Sequence, residues 1–430
     1  MPRRRIPPVT WTLLGATAMT TLGTLPVFLL GSQSVFVRDE LGFDEQRFGV
    51  AVSVFFAAAA AAALFGGGLT DRMGRRASTI VAGLLAATGG FGVALAAHSW
   101  LVLVLMMVVL GVANAACQVT SNLTLARAVP PHRRGLGFGV KQSAIPLAIM
   151  IGGLAVPTVG AVVGWRWTFA LTGIGGLAAA AAGLRLEGSR GGGADSSADS
   201  DAAPVAALLT TMVAILLASA AANSLGSFIA SWGFQVGLTP SEAGLLMATG
   251  SGLNIVVRVL SGHLADRRHG RNLPVVASQM LVGAVALAAL SVPSPAAVVS
   301  AGLVAFALGW SWPGLLLYAV VRVGRDSPGA ASGTVQAGAF IGGAAGPALF
   351  GTVVDAAGYE AAWRLAAGLF LVAAALILVA RRLFIADLVA RPPALPFGYG
   401  GGRRHPARTT ARPGSREASD HTDAPEGGTH

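Results

Sequence analysis

The sequence predicts an all-α membrane protein: twelve transmembrane helices in two pseudo-symmetric six-helix bundles. Three observations predict it. First, 54% of the 430 residues are hydrophobic and only 11% are charged, against roughly 25% charged in a soluble globular chain. The mean hydropathy is +0.67, so most of the chain cannot face water. Second, a short charged turn occurs twice between apolar runs of helical length. The copies are Gly67-Gly68-Leu69-Thr70-Asp71-Arg72-Met73-Gly74-Arg75-Arg76 and Gly262-His263-Leu264-Ala265-Asp266-Arg267-Arg268-His269-Gly270-Arg271, 195 residues apart. Third, twelve segments are long enough to span, since a bilayer takes roughly 20 apolar residues.

The spans run over about 10–34, 48–70, 77–97, 100–125, 135–160, 167–184, 204–230, 241–264, 273–292, 296–321, 329–353 and 362–383, with ends soft by a few residues. Span 1 begins like a signal peptide, with Arg3, Arg4 and Arg5 before an apolar run and Ala16-Thr17-Ala18 resembling a cleavage site. The apolar run continues to Leu30, which marks an uncleaved first span. Glycine, serine and aspartate after span 6 mark a flexible linker. The tail from Arg391 has no apolar periodicity and reads as disordered. The expected division is 1–184, an N-terminal bundle; 185–203, a cytoplasmic linker; 204–383, a C-terminal bundle; and 384–430, a basic cytoplasmic tail.

The net charge of +11 invites a nucleic-acid reading, but its distribution does not support one. With both termini inside, the inner loops hold Arg72, Arg75, Arg76, Arg133, Arg134, Arg267, Arg268, Arg322 and Arg325 among others, and the outer ones only Arg38, Arg47, Arg166 and Arg364. That is the positive-inside bias of a plasma-membrane protein. The basic tail would meet anionic lipid heads. The single cysteine, Cys117, excludes an intrachain disulfide and reads as a small packing residue.

The halves repeat beyond the signature. A shift of 194 places Gly135 on Gly329, Gln142 on Gln336, Gly152 on Gly346 and Gly164 on Gly358. A shift of 195 places Gly42 on Gly237 and Gly49 on Gly244. With 58 glycines in the chain, the matched glutamines and the duplicated Asp-Arg weigh more than any glycine pair. Such six-span halves suggest parallel duplication about an axis along the membrane normal.

On these residues the chain resembles a major facilitator superfamily transporter over about 10–383. The resemblance rests on Gly67, Asp71, Arg72, Gly74, Arg75 and Arg76, the degenerate copy at Gly262, Asp266 and Arg267, and more weakly on Trp312-Pro313-Gly314 and Gly342–Pro347. It implies two six-helix lobes that rock around a central cavity, and it names no substrate. The chain departs from one family pattern: many proton-coupled members carry an arginine four residues before a span-4 glycine, and here Met107 precedes Gly111. For the first signature the resemblance implies a conformational gate, with Asp71 meeting the start of span 11. A solvated Asp71 in a plain positive-inside turn is the alternative.

None of the 19 acidic residues falls deep in a span. Intramembrane carboxylates and histidines are the usual proton relays. The remaining carriers are Asp39, Glu40, Asp44 and Glu45 at the outer mouth and His263 near the inner end of span 8, so ion coupling has no obvious carrier. Two cations do lie within spans. Lys141, the only lysine, sits about 9 Å into span 5, and Arg258 about 12 Å into span 8, at the helical rise. Two buried cations without a carboxylate repel unless an anion joins them, and Arg offers a bidentate fork. Snorkelling of both side chains to the interface is the bland alternative.

Polar residues at helical spacing mark a candidate cavity lining: Asn114, Gln118 and Asn122 in span 4, Asn223 in span 7, and Asn254 with Arg258 in span 8. Gln142, Gln336, Trp312 and Tyr318 complete the set. Helix–helix hydrogen bonding is the competing explanation. No phosphate-cradling loop and no metal-ligand spacing occurs, so no cofactor and no metal is implied. No nucleophile–base pairing suggests an enzyme.

The expectation is a secondary transporter of a small solute, an organic or inorganic anion favoured, possible partners being the bilayer and a coupled ion but no nucleic acid. Efflux of apolar, drug-like compounds is the rival within the class. A transporter-like receptor or scaffold is the rival outside it.

Overall fold

In the computed structural model of the chain, the described residues are 8–128, 140–186, 204–265, 272–323 and 328–390. Side chains at 8–10, 65–71, 123, 126–128, 321–323 and 328–332 are outside the described set. The expected linker (from 187) and tail (from 391) also fall outside it. The described residues hold helices and turns and no strand.

Among the described residues, eleven helices, from Trp11–Ser32 to Gly333–Ala390, are long and apolar enough to cross a membrane. The last has 58 residues. A straight helix of that length would run about 87 Å at the helical rise, far beyond the roughly 30 Å of a hydrocarbon core. It turns back at Gly358, where φ is 83° and ψ 169°, and so supplies spans 11 and 12. Gly74 does the same between spans 2 and 3 with φ 76° and ψ 169°. A side chain at such a φ is strained. The glycine of the first signature is therefore a backbone requirement of the turn.

The duplication inferred from sequence is written into the backbone. Gly164 and Gly358, matched by the repeat, both have positive φ (103° and 83°), and so do Gly42 and Gly237 (63° and 105°). Two residues after each member of the second pair stands a helix cap. The Asp44 carboxylate accepts from Arg47 N at 2.8 Å. Thr239 Oγ1 accepts from Glu242 N at 3.2 Å while Glu242 Oε2 accepts from Thr239 N at 2.8 Å, a reciprocal capping box.

The even number of spans puts both ends of the described chain on one face, here the terminal face; the opposite one is the distal face. In lipid, apolar side chains gain nothing by leaving hydrocarbon, so helices associate through small residues that let backbones approach. Gly83 and Gly176 meet this way between spans 3 and 6: a Cβ on either would stand 2.6 Å from the other's carbonyl oxygen. Large apolar residues stay exposed along the outer faces, as with Leu101, Leu105 and Val108 or Leu171, Ile174 and Leu177. Their spacing of three and four gives each helix one lipid-facing stripe.

Spans 1–6 and 7–12 touch along two related seams. Span 2 meets span 11, with Gly49 against the Pro347 carbonyl. Span 5 meets span 8, where a Cβ on Gly244 would stand 2.6 Å from the Gly153 carbonyl oxygen. The distal halves are closed further by Ser231 Oγ donating to Ser34 Oγ at 2.9 Å, Ala348 N donating to Ser53 Oγ at 2.9 Å, and Phe48 edge-on to Phe228 at 5.2 Å. The lobes are thus shut at the distal end.

The Ser34–Ser231 distance allows disulfide geometry. With Cys117→Ala as background and a protease site inserted between residues 187 and 203, Ser34→Cys with Ser231→Cys should join the two halves on a non-reducing gel after mild oxidation. Halves that separate without reductant would show that the distal ends are not closed here.

Candidate functional site

The two intramembrane cations are linked through span 5, which carries Lys141 and accepts from Arg258 at the next residue. Lys141 lies in the part of span 5 toward the terminal face, near the start of its described residues (Val140–Val163), and is 5% exposed. Its Nζ donates to Gln118 Oε1 at 2.8 Å and Asn122 Oδ1 at 2.6 Å. Gln118 and Asn122 are four apart on span 4, so they share the face turned to span 5. Gln118 is half-buried and Asn122 exposed, so the lysine sits at the inner end of an amide pair that leads to the surface. Amide oxygens accept hydrogen bonds without cancelling the ammonium charge.

Arg258 comes from the other lobe. It is 8% exposed on span 8. One terminal nitrogen, Nη1, donates to the Gln142 carbonyl at 2.8 Å, and Nη2 to the Trp310 carbonyl at 2.8 Å. One of these acceptors is explained by a proline. In a helix the carbonyl of residue 142 would bond the N–H of residue 146, and Pro146 has none. Trp310 closes a π-helical turn (Ala305–Gly309) just before the helix Trp312–Val323, whose second residue is Pro313. Arg258 therefore takes up the carbonyl that Pro146 frees, together with one at the end of the π-helical turn. Asn254, one turn along span 8, does the same for the π-turn itself: its Nδ2 donates to Phe306 O at 2.6 Å and to Ala307 O at 3.3 Å.

The charge is left uncompensated. Among the described residues the ion pairs are Arg38–Glu45 and Arg166–Glu40, both at the distal end, and neither Lys141 nor Arg258 has a carboxylate partner. Buried Arg258 Nε is without an acceptor, as is Trp312 Nε1 on the helix Arg258 braces. Lys141 and Gln142 are consecutive, so Arg258 reaches across the lobe boundary to the backbone of the residue after Lys141.

Other residues singled out in the sequence are more dispersed. Asn114 is buried, one turn from Gln118, with Oδ1 unpartnered. Asn223 Nδ2 donates to Ser219 O in its own helix at 2.8 Å. Tyr318 and Gln336 are half-buried. Of the signature, Gly74 supplies the turn, Arg72 and Arg76 are exposed and Arg75 is half-buried. The side chains at Gly67 and Asp71 lie outside the described residues, as do Asp266 and Arg267, so the expected gate contact falls there too. A Cβ on Gly262 would meet open space, so close packing does not require that glycine. Sequence reading missed the Gln142 and Trp310 carbonyls. Pro146 was a visible signal for the first, but nothing in the chain order says that Arg258 would reach either.

Among the described residues no group of three histidine, cysteine, aspartate or glutamate side chains could hold a metal. The cluster offers donors in excess of acceptors, which suits an acceptor-rich or negatively charged ligand.

Comparison with known proteins agrees with this architecture. The Major Facilitator Superfamily profile matches residues 12–335 and 211–398. The chain is 32% identical over 143 residues to the "Putative metabolite transport protein YwtG" of Bacillus subtilis (strain 168), a match spanning 33% of this chain and 31% of that relative. It is 27% identical over 348 residues to the "Chloramphenicol resistance protein" of Streptomyces lividans, covering 79% of this chain and 88% of that one. Among solved structures, a bacterial homologue of the human lysosomal transporter Spinster superposes with TM-score 0.68 at 16% identity, covering 89% of this chain and 99% of that one. The peptide transporter POT superposes with TM-score 0.70 at 16% identity, covering 87% and 94%.

The proline argument has a thermodynamic consequence. Pro146→Ala returns an N–H to the Gln142 carbonyl, so Arg258→Met should cost less in that background. The four proteins of the cycle, melted in detergent, should show coupling of about 1 kcal/mol; strictly additive shifts would dissociate Arg258 from the Pro146 break.

Proposed function

The chain belongs to the Major Facilitator Superfamily, and from that premise we propose that it is a secondary transporter that moves a small organic or inorganic anion by alternating access. Family membership makes it a multi-pass membrane protein that transports a small solute and not an enzyme. The anion is our reading. The observation that carries it is the pair of buried cations, Lys141 and Arg258, joined through Gln142 and held by neutral oxygens only.

The physical argument is one of compensation. Burying a charge without a counter-charge is expensive. Amide and carbonyl dipoles hold these two cations, yet the site keeps two formal positive charges. An anion engaging both would find the Lys141 ammonium and the unpartnered Nε of Arg258. The charges belong to opposite lobes, so an anion that engages both has a different affinity for each arrangement of the lobes. Such a difference is what lets a ligand shift a conformational equilibrium. Ion coupling stays open in this reading.

The same premise supports the remaining expectations. In the sequence, arginines crowd the loops assigned to the terminal side, while only Arg38, Arg47, Arg166 and Arg364 fall in those of the distal side; the positive-inside rule supports reading the distal face as the exterior of a plasma membrane and the termini as cytoplasmic. The division into bundles 1–184 and 204–383, with a linker and a basic tail, follows the fold's two lobes. Gly67, Asp71 and their neighbours remain our candidates for the gate on the cytoplasmic side.

A second reading is efflux of drug-like compounds, favoured by the likeness to the Streptomyces lividans chloramphenicol resistance protein over most of both chains. Proteoliposomes distinguish the two. Uptake of a labelled carboxylate or phosphate is compared with export of a lipophilic cation and of an uncharged drug. On the anion reading, Lys141→Ala lowers anion flux at least about tenfold, the scale of one charge-assisted hydrogen bond. Undiminished anion flux in that variant, or flux of the drugs alone, ends the anion reading.

A further inference from the structure

The repeat places an aromatic donor at the same position of both halves. Gly164 and Gly358 turn the chain with positive φ, and each is followed by a ring bearing a polar hydrogen, Trp165 and Tyr359. Trp165 Nε1 donates to Glu40 Oε2 at 2.5 Å, a bond within the first lobe. Tyr359 Oη donates to Glu45 Oε1 at 2.6 Å. Glu45 opens span 2 in the first lobe, while Tyr359 opens span 12 in the second. One copy of the device braces a lobe, and the other crosses between lobes.

The crossing copy is built to hold still. The Tyr359 ring is stacked on Trp232, with centroids 5.0 Å apart and planes at 22°. Trp232 is fixed in turn by its Nε1 bond to the Leu290 carbonyl at 2.9 Å. Arg38 pairs with the same Glu45 oxygen that receives Tyr359 and donates to the Phe43 carbonyl at 3.3 Å. Tyr359 is 3% exposed and Glu45 8%. Next to them, Gln46 N donates across the seam to Asp355 Oδ2 at 2.8 Å.

The contact is also built to be undone. Glu45 Oε2 is buried without a partner. A carboxylate oxygen left so is costly, and water would relieve it when the lobes part. Hydration of Oε2 offsets part of the loss of the tyrosine bond, which keeps the two arrangements close in free energy. The related seam has no such pair near its close approach: there Gly153 and Gly244 meet backbone to backbone.

We propose that Glu45 and Tyr359 are the positioning pair that holds the distal ends of the lobes together and sets how often that face opens, while Trp165 and Glu40 ride unchanged within one lobe. Arg38 anchors the carboxylate on its own side, so opening separates the hydroxyl from it and leaves the ion pair intact.

The test needs no substrate, so its failure is separate from failure of the anion reading. Ser34, fully buried at the distal seam, becomes the reporter: Ser34→Cys in a Cys117→Ala background, in lipid nanodiscs that expose both faces to a membrane-impermeant maleimide. Labelling proceeds only when the distal ends part. Tyr359→Phe keeps the stacked ring and removes the hydroxyl, and it should speed labelling about tenfold, the scale of a hydrogen bond to a charged group. Trp165→Phe should leave the rate within about twofold. Glu45→Gln, which keeps an acceptor but drops the charge, should also speed labelling and serves if Tyr359→Phe does not fold. An unchanged rate in either seam variant that folds overturns the proposal, and so does an equal rise with Trp165→Phe.

Discussion

Water is absent from the bilayer core, and that absence is the constraint from which the centre of this protein follows. Every backbone group there must find a partner inside the protein. Spans 5 and 10 violate helical continuity: Pro146 removes one N–H, and the π-turn Ala305–Gly309 with Pro313 disrupts the ladder of the other. The freed carbonyls are met by one face of span 8, where Asn254 and Arg258 stand four apart. Non-helical backbone at membrane depth is tolerated where protein buries it or where it lines a cavity, and transporter sites commonly form at interrupted helices. The repair itself is what brings a guanidinium to the backbone of Gln142, the residue after Lys141.

The duplication supplies the frame, and departures from it supply the candidate site. Matched glycines have positive φ in both halves, and matched caps start spans 2 and 8. The charges do not repeat. The repeat partner of Lys141 is Val335, and that of Arg258 is Ala63. The seam of spans 5 and 8 thus meets Arg258, while the distal polar contacts gather on and around the seam of spans 2 and 11. Two seams related by near-symmetry have been given different work, one toward the terminal face and one at the distal end.

Much of this was legible before any coordinates. Twelve spans, the two halves and the turn glycines are local properties: apolar length, a duplicated signature and a backbone angle that glycine adopts cheaply. Lys141 and Arg258 stood out because an intramembrane cation is costly. Their partners did not. The polar stripe Asn114, Gln118 and Asn122 looked like cavity lining, yet two of its members are the hydrogen-bond partners of Lys141. Asn254 looked similar and is occupied with span 10. Glu45 was one of four acidic candidates at the distal mouth. Burial and a bond from the opposite lobe set it apart from Asp44, which caps its own helix, and from Glu40, which is bound within its own lobe.

The sequence by itself determined that this chain threads a membrane as two like bundles, because apolar length and repeated turn chemistry are carried by neighbouring residues. Only the tertiary structure decided which buried polar groups face one another. Arg258 and Gln142 are 116 residues apart, and Glu45 and Tyr359 are 314 apart. Contacts at such separations depend on how helices from opposite lobes are rotated and pressed together, and that is set by packing across the seams rather than by any local pattern of residues.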